Sequence, residues 1–160
     1  MTFSQSAKHL RSWARSSVVC ASLVAGACAG AGAARAQSAA NDTLYRQFGG
    51  QPGLARLVDD VMVRLLADPR MGPFFRDVDQ KHVKEALVLQ FCEVSGGPCR
   101  RNGQDMRQAH AGIDVTRTDF NALVEVLQLS MDAQGIAFST QNRMLAKLAP
   151  MHREIVNVPP

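Results

Sequence analysis

The stretch PGLARLVDDVMVRLLADP, residues 52–69, decides the fold. Within it Leu54, Leu57, Val58, Val61, Met62, Leu65 and Leu66 return at intervals of three and four and make one apolar stripe, the pattern of a half-buried helix. Pro52 suits a first helical turn, where its missing N–H costs nothing, and Pro69 ends or bends the helix. Outward from this stretch the same periodicity recurs. Gly72-Pro73 turns the chain into Phe74-Phe75. A second helix is expected from about Gln80 to Ser95, with Val83, Leu87, Gln90, Phe91 and Val94 on one face and Gly96-Gly97-Pro98 as its stop. Gln104 to His110 can form a short helix ending at Gly112. Thr116 to Asp119 has the T-x-x-D form of a helix start, and Phe120, Leu123, Val124, Leu127 and Met131 carry that helix to Gly135. Ser139 is placed to cap a last helix bearing Met144, Leu145, Leu148 and Ile155, with a kink at Pro150. No alternating strand pattern competes, so the fold class is all-α.

The first 36 residues read differently. Lys8, Arg11 and Arg15 precede an apolar, small-residue run from Ser16 to Ala34, and Ala34-Arg35-Ala36 fits a small-x-small cleavage site. That order is a secretory signal peptide, which predicts export, in a bacterium to the periplasm. A retained membrane anchor and lipidation at Cys28 are the lesser readings. Residues 37–43 form a small, polar lead-in, and 44–160 make one domain. Four of the 18 basic residues (Lys8, Arg11, Arg15, Arg35) fall in the leader, and those that remain balance the 14 acidic ones. The net positive charge therefore belongs to the leader. A near-neutral domain with no basic block offers no grip for nucleic acid or an anionic membrane.

Cys20 and Cys28 lie in the leader, whereas Cys92 and Cys99 remain in a compartment that permits disulfides. Gly96, Gly97 and Pro98 turn the chain between them, but spacing alone leaves their pairing open. With no second cysteine pair and no close histidine pair, a zinc site is disfavoured. Among the histidines, His82 starts a helix and His152 lies near the C-terminus. His110 closes a short helix, four residues after Met106 and on its face. A metal ligand and a C-terminal charge partner are both open readings of it.

The motifs taken together go further. Leu44-Tyr45-x-x-Phe48-Gly49-Gly50, Asp59-Asp60, Leu65-Leu66-Ala67-Asp68-Pro69 and Phe74-Phe75 are followed by Phe91-Cys92 and Gly96-Gly97-Pro98-Cys99. Next come Gly103-x-Asp105-Met106, Ala109-His110-Ala111-Gly112 and Ala149-Pro150. In that order they resemble a group I truncated haemoglobin over about residues 44–156. The resemblance implies a two-over-two helical sandwich around haem b. It makes His110 the protein ligand of the iron, with its second ring nitrogen donating to a backbone carbonyl. It also implies haem contacts from Phe75, Met106, Val115, Phe120, Met144 and Leu148, each of which would otherwise be ordinary core.

The distal side departs from the family. Met62 stands where the family usually has an oxygen-bonding tyrosine, and Val83 and Leu87 occupy the two positions often taken by glutamine or another polar residue. Gln90, three residues after Leu87, could reach the cavity or line a helix edge. The basic position that often serves the haem propionates corresponds to Ala86, which leaves Lys84, Arg101 and Arg107 as candidates. The functional expectation is reversible binding of oxygen, nitric oxide and carbon monoxide, with weak oxygen retention and an unknown electron donor. Nitric oxide dioxygenation, peroxidase chemistry and nitrite reduction are the enzymatic alternatives. A haem-free exported helical protein that binds a partner or lipid is the alternative of another class.

Overall fold

In the computed structural model, which describes residues 44–158, the stripe of 52–69 becomes helix α1, Gly50–Ala67. The signal peptide expected at 1–36 and the lead-in at 37–43 lie outside the described residues. A helical turn at 44–47 precedes α1, and the chain enters α1 through Gly49 and Gly50 at φ 76° and 64°, a left-handed conformation natural to glycine. The helix thus starts two residues before Pro52. It ends at Ala67, and Asp68 is extended, as the residue before a proline is driven to be.

Gly72–Phe75 forms a single helical turn, α2, where the sequence predicted only a bend. Pro73 accounts for the difference, because its fixed φ favours a first helical turn. Helix α3, Gln80–Val94, starts at Asp79, whose carboxylate accepts from the His82 N–H at 3.1 Å. The short α4 spans Met106–Ala109 and the long α5 Arg117–Ala133. At α5 the Thr116 hydroxyl and Asp119 carboxylate form the reciprocal capping box expected from T-x-x-D. Arg70 ties the end of α1 to α5. It donates to Asp68 at 2.8 Å and to Glu125 at 2.7 Å, and the Arg70 guanidinium holds the Asp68 carboxyl down to about 2.

Helix α6 is Phe138–Leu148, and its start corrects the sequence reading. Ala137, not Ser139, is the cap residue. The Gln141 side chain donates to the Ile136 carbonyl and to Asp132, and the Thr140 and Gln141 N–H groups bond to the Ala137 carbonyl. These bonds place Ser139 already inside the first turn. Pro150 lies in a 3-10 turn, Ala149–Met151, which leads into α7, His152–Ile155.

The long helices pack as α1 with α3 and α5 with α6, and these pairs meet through α1–α5 and α3–α6 contacts, while α4 rests on α7. One apolar cluster runs through the centre, with Leu54, Leu57, Val58, Leu65, Met131 and Met144 fully buried. No helix among the described residues is long and apolar enough to cross a membrane.

Cys92 and Cys99 form a disulfide. The turn between them is tight. A side chain at Gly97 would come within 2.7 Å of both Cys92 Sγ and the Tyr45 ring, so only glycine lets the Leu44-Tyr45 and Gly96-Gly97-Pro98-Cys99 motifs meet there. Closing a loop of that length stabilises the fold by about 2.5 kcal/mol through the unfolded chain. Cys99→Ser should therefore unfold at a correspondingly lower urea concentration. An unchanged midpoint would show that the bridge constrains nothing.

Candidate functional site

The site is built around α4. Asp105 opens this helix by accepting from the Gln108 N–H at 2.7 Å, which is why it starts at Met106 rather than at Gln104. It runs for four residues, and His110 stands at its C-terminal cap, half-buried. The Met106 carbonyl meets both the His110 N–H, at 3.2 Å, and the imidazole Nδ1, at 2.8 Å. A carbonyl can only accept, so Nδ1 carries a proton, and in the neutral ring the lone pair is then on Nε2. An imidazole in that tautomer, held to its own helix, is ready to bind one electrophile.

Beyond His110 the chain reverses sharply. Gly112 has φ 75° and Asp114 φ 56°, the latter in a region that aspartate tolerates better than most residues. Val115 follows and is buried. Its carbonyl accepts from the N–H groups of Asn157 and Val158 at 3.1 and 3.3 Å, and the Asn157 carboxamide donates to the His110 carbonyl at 2.8 Å. Asn157 carries no periodicity or motif, so the sequence held no signal for its contact with a residue 47 positions earlier.

The remaining site residues fall into two sets. Phe75, Leu87 and Leu148 are half-buried and pack on the central cluster, of which Met144 is a member. Met62 and Val115 are buried outside that cluster, and Met106, Val83 and Phe120 are only partly covered. The Phe120 ring meets His152 edge-on at 4.9 Å. Met62 on α1 and Val83 and Leu87 on the adjoining α3 lack a strong hydrogen-bond donor.

Gln90 is bonded to a residue near the far end of the chain. It is 6% exposed, its Nε2 donates to Met151 Sδ at 3.2 Å, and its Oε1 is buried without a partner. Met151 follows Pro150 at the end of the 3-10 turn, a pairing invisible in sequence. Of the three candidate cations for the haem propionates, Lys84 is bonded to Asp59 at 2.8 Å and Arg101 to the Gln104 carbonyl at 3.3 Å. Arg107 is exposed. His82 is exposed at the start of α3.

No group of three or more histidine, cysteine or acidic side chains converges among the described residues, so a bare metal ion would find no cage. The donor set fits a metal that arrives already coordinated. The His110 imidazole would supply one donor nitrogen, and the apolar side chains of Met62, Val83, Leu87, Phe75, Met106, Val115 and Phe120 are of the kind that would hold a flat macrocycle. Haem meets both conditions.

The sequence profile of the bacterial-like globin family matches residues 43–157. A group 1 truncated haemoglobin of Mycolicibacterium paratuberculosis is 30% identical over 122 residues, covering 76% of this chain and 90% of that protein. Another, from Nostoc commune, is 28% identical over 115 residues, covering 72% and 98%. Among solved structures, the ferric truncated haemoglobin of Tetrahymena pyriformis superposes with a TM-score of 0.69 at 23% identity, covering 71% of this chain and 97% of that one. The 2/2 haemoglobin of a Synechococcus species gives 0.67 at 23% identity, covering 71% and 98%.

Proposed function

Because the chain belongs to the bacterial-like globin family, and within it to the group 1 truncated haemoglobins, we propose that it holds haem b on His110 and binds oxygen, nitric oxide and carbon monoxide, retaining oxygen weakly. It is a haem-binding globin, and globins bind diatomic gases such as oxygen; the haem type, the other two gases, an electron donor of unknown identity and the residue roles are the proposal.

The single observation that carries the reading is the Nδ1 hydrogen bond from His110 to the Met106 carbonyl, which fixes the ring and leaves Nε2 available. Haem supplies the iron at which a diatomic gas coordinates. The chain supplies the rest. His110 would hold the group through its ring nitrogen, Phe75, Met106, Val115, Phe120, Met144 and Leu148 would exclude water from it, and Met62, Val83 and Leu87 would form an apolar ceiling. A ceiling without a donor would offer no hydrogen bond to a ligand that gains negative charge on binding. Peroxidase chemistry and nitrite reduction would suffer from the same set, since no group there delivers a proton. Tight oxygen retention, from which nitric oxide dioxygenation profits, is lacking too.

We further propose that the protein works outside the cytoplasm, with residues 1–36 as a cleaved leader. The Cys92–Cys99 disulfide supports this, since such bonds persist in oxidising compartments.

The visible spectrum of the ferrous protein, before and after admitting oxygen, tests the proposal. The expected result is a five-coordinate ferrous spectrum that passes to the ferric form soon after exposure to air. A ferrous, oxygen-saturated spectrum stable in air would overturn weak retention. Absence of a Soret band after loading with haem would overturn the globin function.

A further inference from the structure

We propose that Asn157 is a positioning residue for the proximal imidazole. Through it the segment after α7 clamps the backbone that carries His110. The inference rests on the reading of His110 as the haem ligand.

The geometry is a three-point closure. The Asn157 carboxamide donates to the His110 carbonyl at 2.8 Å, and the backbone N–H groups of Asn157 and Val158 both bond to the Val115 carbonyl, at 3.1 and 3.3 Å. Residues 110 and 115 bracket the double reversal at Gly112 and Asp114, so the clamp grips both ends of the most contorted backbone in the site. Such backbone needs outside support. A helix of four residues is too short to stabilise itself, and it leaves its last carbonyls without helical partners. A backbone donor, the Ile113 N–H, also reaches the His110 carbonyl, at a longer 3.3 Å.

The same C-terminal segment is anchored at two more points. Met151 receives Gln90 from α3, and the His152 ring meets Phe120 of α5. The position of His110 is thereby referred to both long-helix pairs rather than to α4 alone. The imidazole ring is oriented by Met106 from within the turn, and the height of the whole turn is set by Asn157 from outside. Asn157 donates to the His110 carbonyl and not to the ring, so it would act on where the imidazole sits.

Two variants of the full chain separate this role from simple packing. Asn157→Asp keeps the shape but replaces the donor by an acceptor facing a carbonyl, whereas Asn157→Ala removes the group. Haem release to an excess of an apoglobin acceptor is measured together with the iron–histidine stretching band of the ferrous proteins. Loss of one such hydrogen bond should speed release by about three- to tenfold. The aspartate variant should be at least as fast as the alanine variant, and both should show a shifted or broadened band. A role in packing alone predicts that Asn157→Asp matches the parent in rate and band, and that result overturns the proposal. Failure of the underlying reading looks different. The parent itself would then take up no haem, or would keep the same iron–histidine band when His110 is replaced.

Discussion

Replacing His110 by alanine should abolish tight, stoichiometric haem uptake, with apparent affinity falling by at least a hundredfold. The bound is set by comparison, since losing an outer partner of a metal-binding histidine alone costs about 10–100-fold, and here the axial ligand itself is removed. Two other histidines lie among the described residues. His82 lies exposed at the start of α3, and His152 is engaged with Phe120. A haemin titration followed at the Soret band measures the loss. The vacated volume supplies a further check, because added imidazole should enter it and restore a five-coordinate ferrous spectrum. If His110→Ala titrates like the parent, His110 is not the ligand, and Met106 and Val115 revert to ordinary packing residues around a polar helix end.

The second large effect concerns Met62. Met62→Tyr should slow oxygen dissociation by roughly ten- to a hundredfold, the worth of one hydrogen bond to a charge-bearing acceptor, about 1.5–3 kcal/mol. Carbon monoxide, which carries little negative charge when bound, should leave at nearly the parental rate. The contrast between the two gases separates a donor effect from a steric one. Met62 is 3% exposed, so a tyrosine there also risks overpacking α1. Val83→Gln, at a half-buried position on α3, approaches the same space with less crowding. If both variants release oxygen as fast as the parent, the apolar ceiling is not what limits retention. Cys92–Cys99 should be left intact in these proteins, so that a loosened loop before α4 is not mistaken for a distal effect.

The helices were legible because they depend on local pattern. The stripe from Leu54 to Leu66 became α1, the T-x-x-D at Thr116 became a complete capping box, and the glycines at 96 and 135 ended α3 and α5 as expected. Local rules also explain the errors. Ser139 is a good cap by type, but the side chain of Gln141 and the turn at Ala137 had already set where α6 begins. Gln104 lost the start of α4 to Asp105, the better carboxylate cap. The site was readable where it rests on short spacing. The four-residue step from Met106 to His110 determines the ring's hydrogen bond, because one helical turn brings a side chain back onto the carbonyl four residues earlier.

What the sequence determined by itself was an all-helical chain with one imidazole at the end of a short helix and no strong donor at Met62, Val83 or Leu87. All of these follow from residue type and from spacings of three and four. Tertiary structure alone decided that Gln90 turns to Met151, that Lys84 is taken by Asp59, and that Asn157 reaches the His110 carbonyl. Those pairs are separated by 61, 25 and 47 residues. A hydrogen bond specifies its partner's chemistry and distance but not its place along the chain. Only the packing of α1, α3, α5 and α6 brings such distant donors and acceptors within reach.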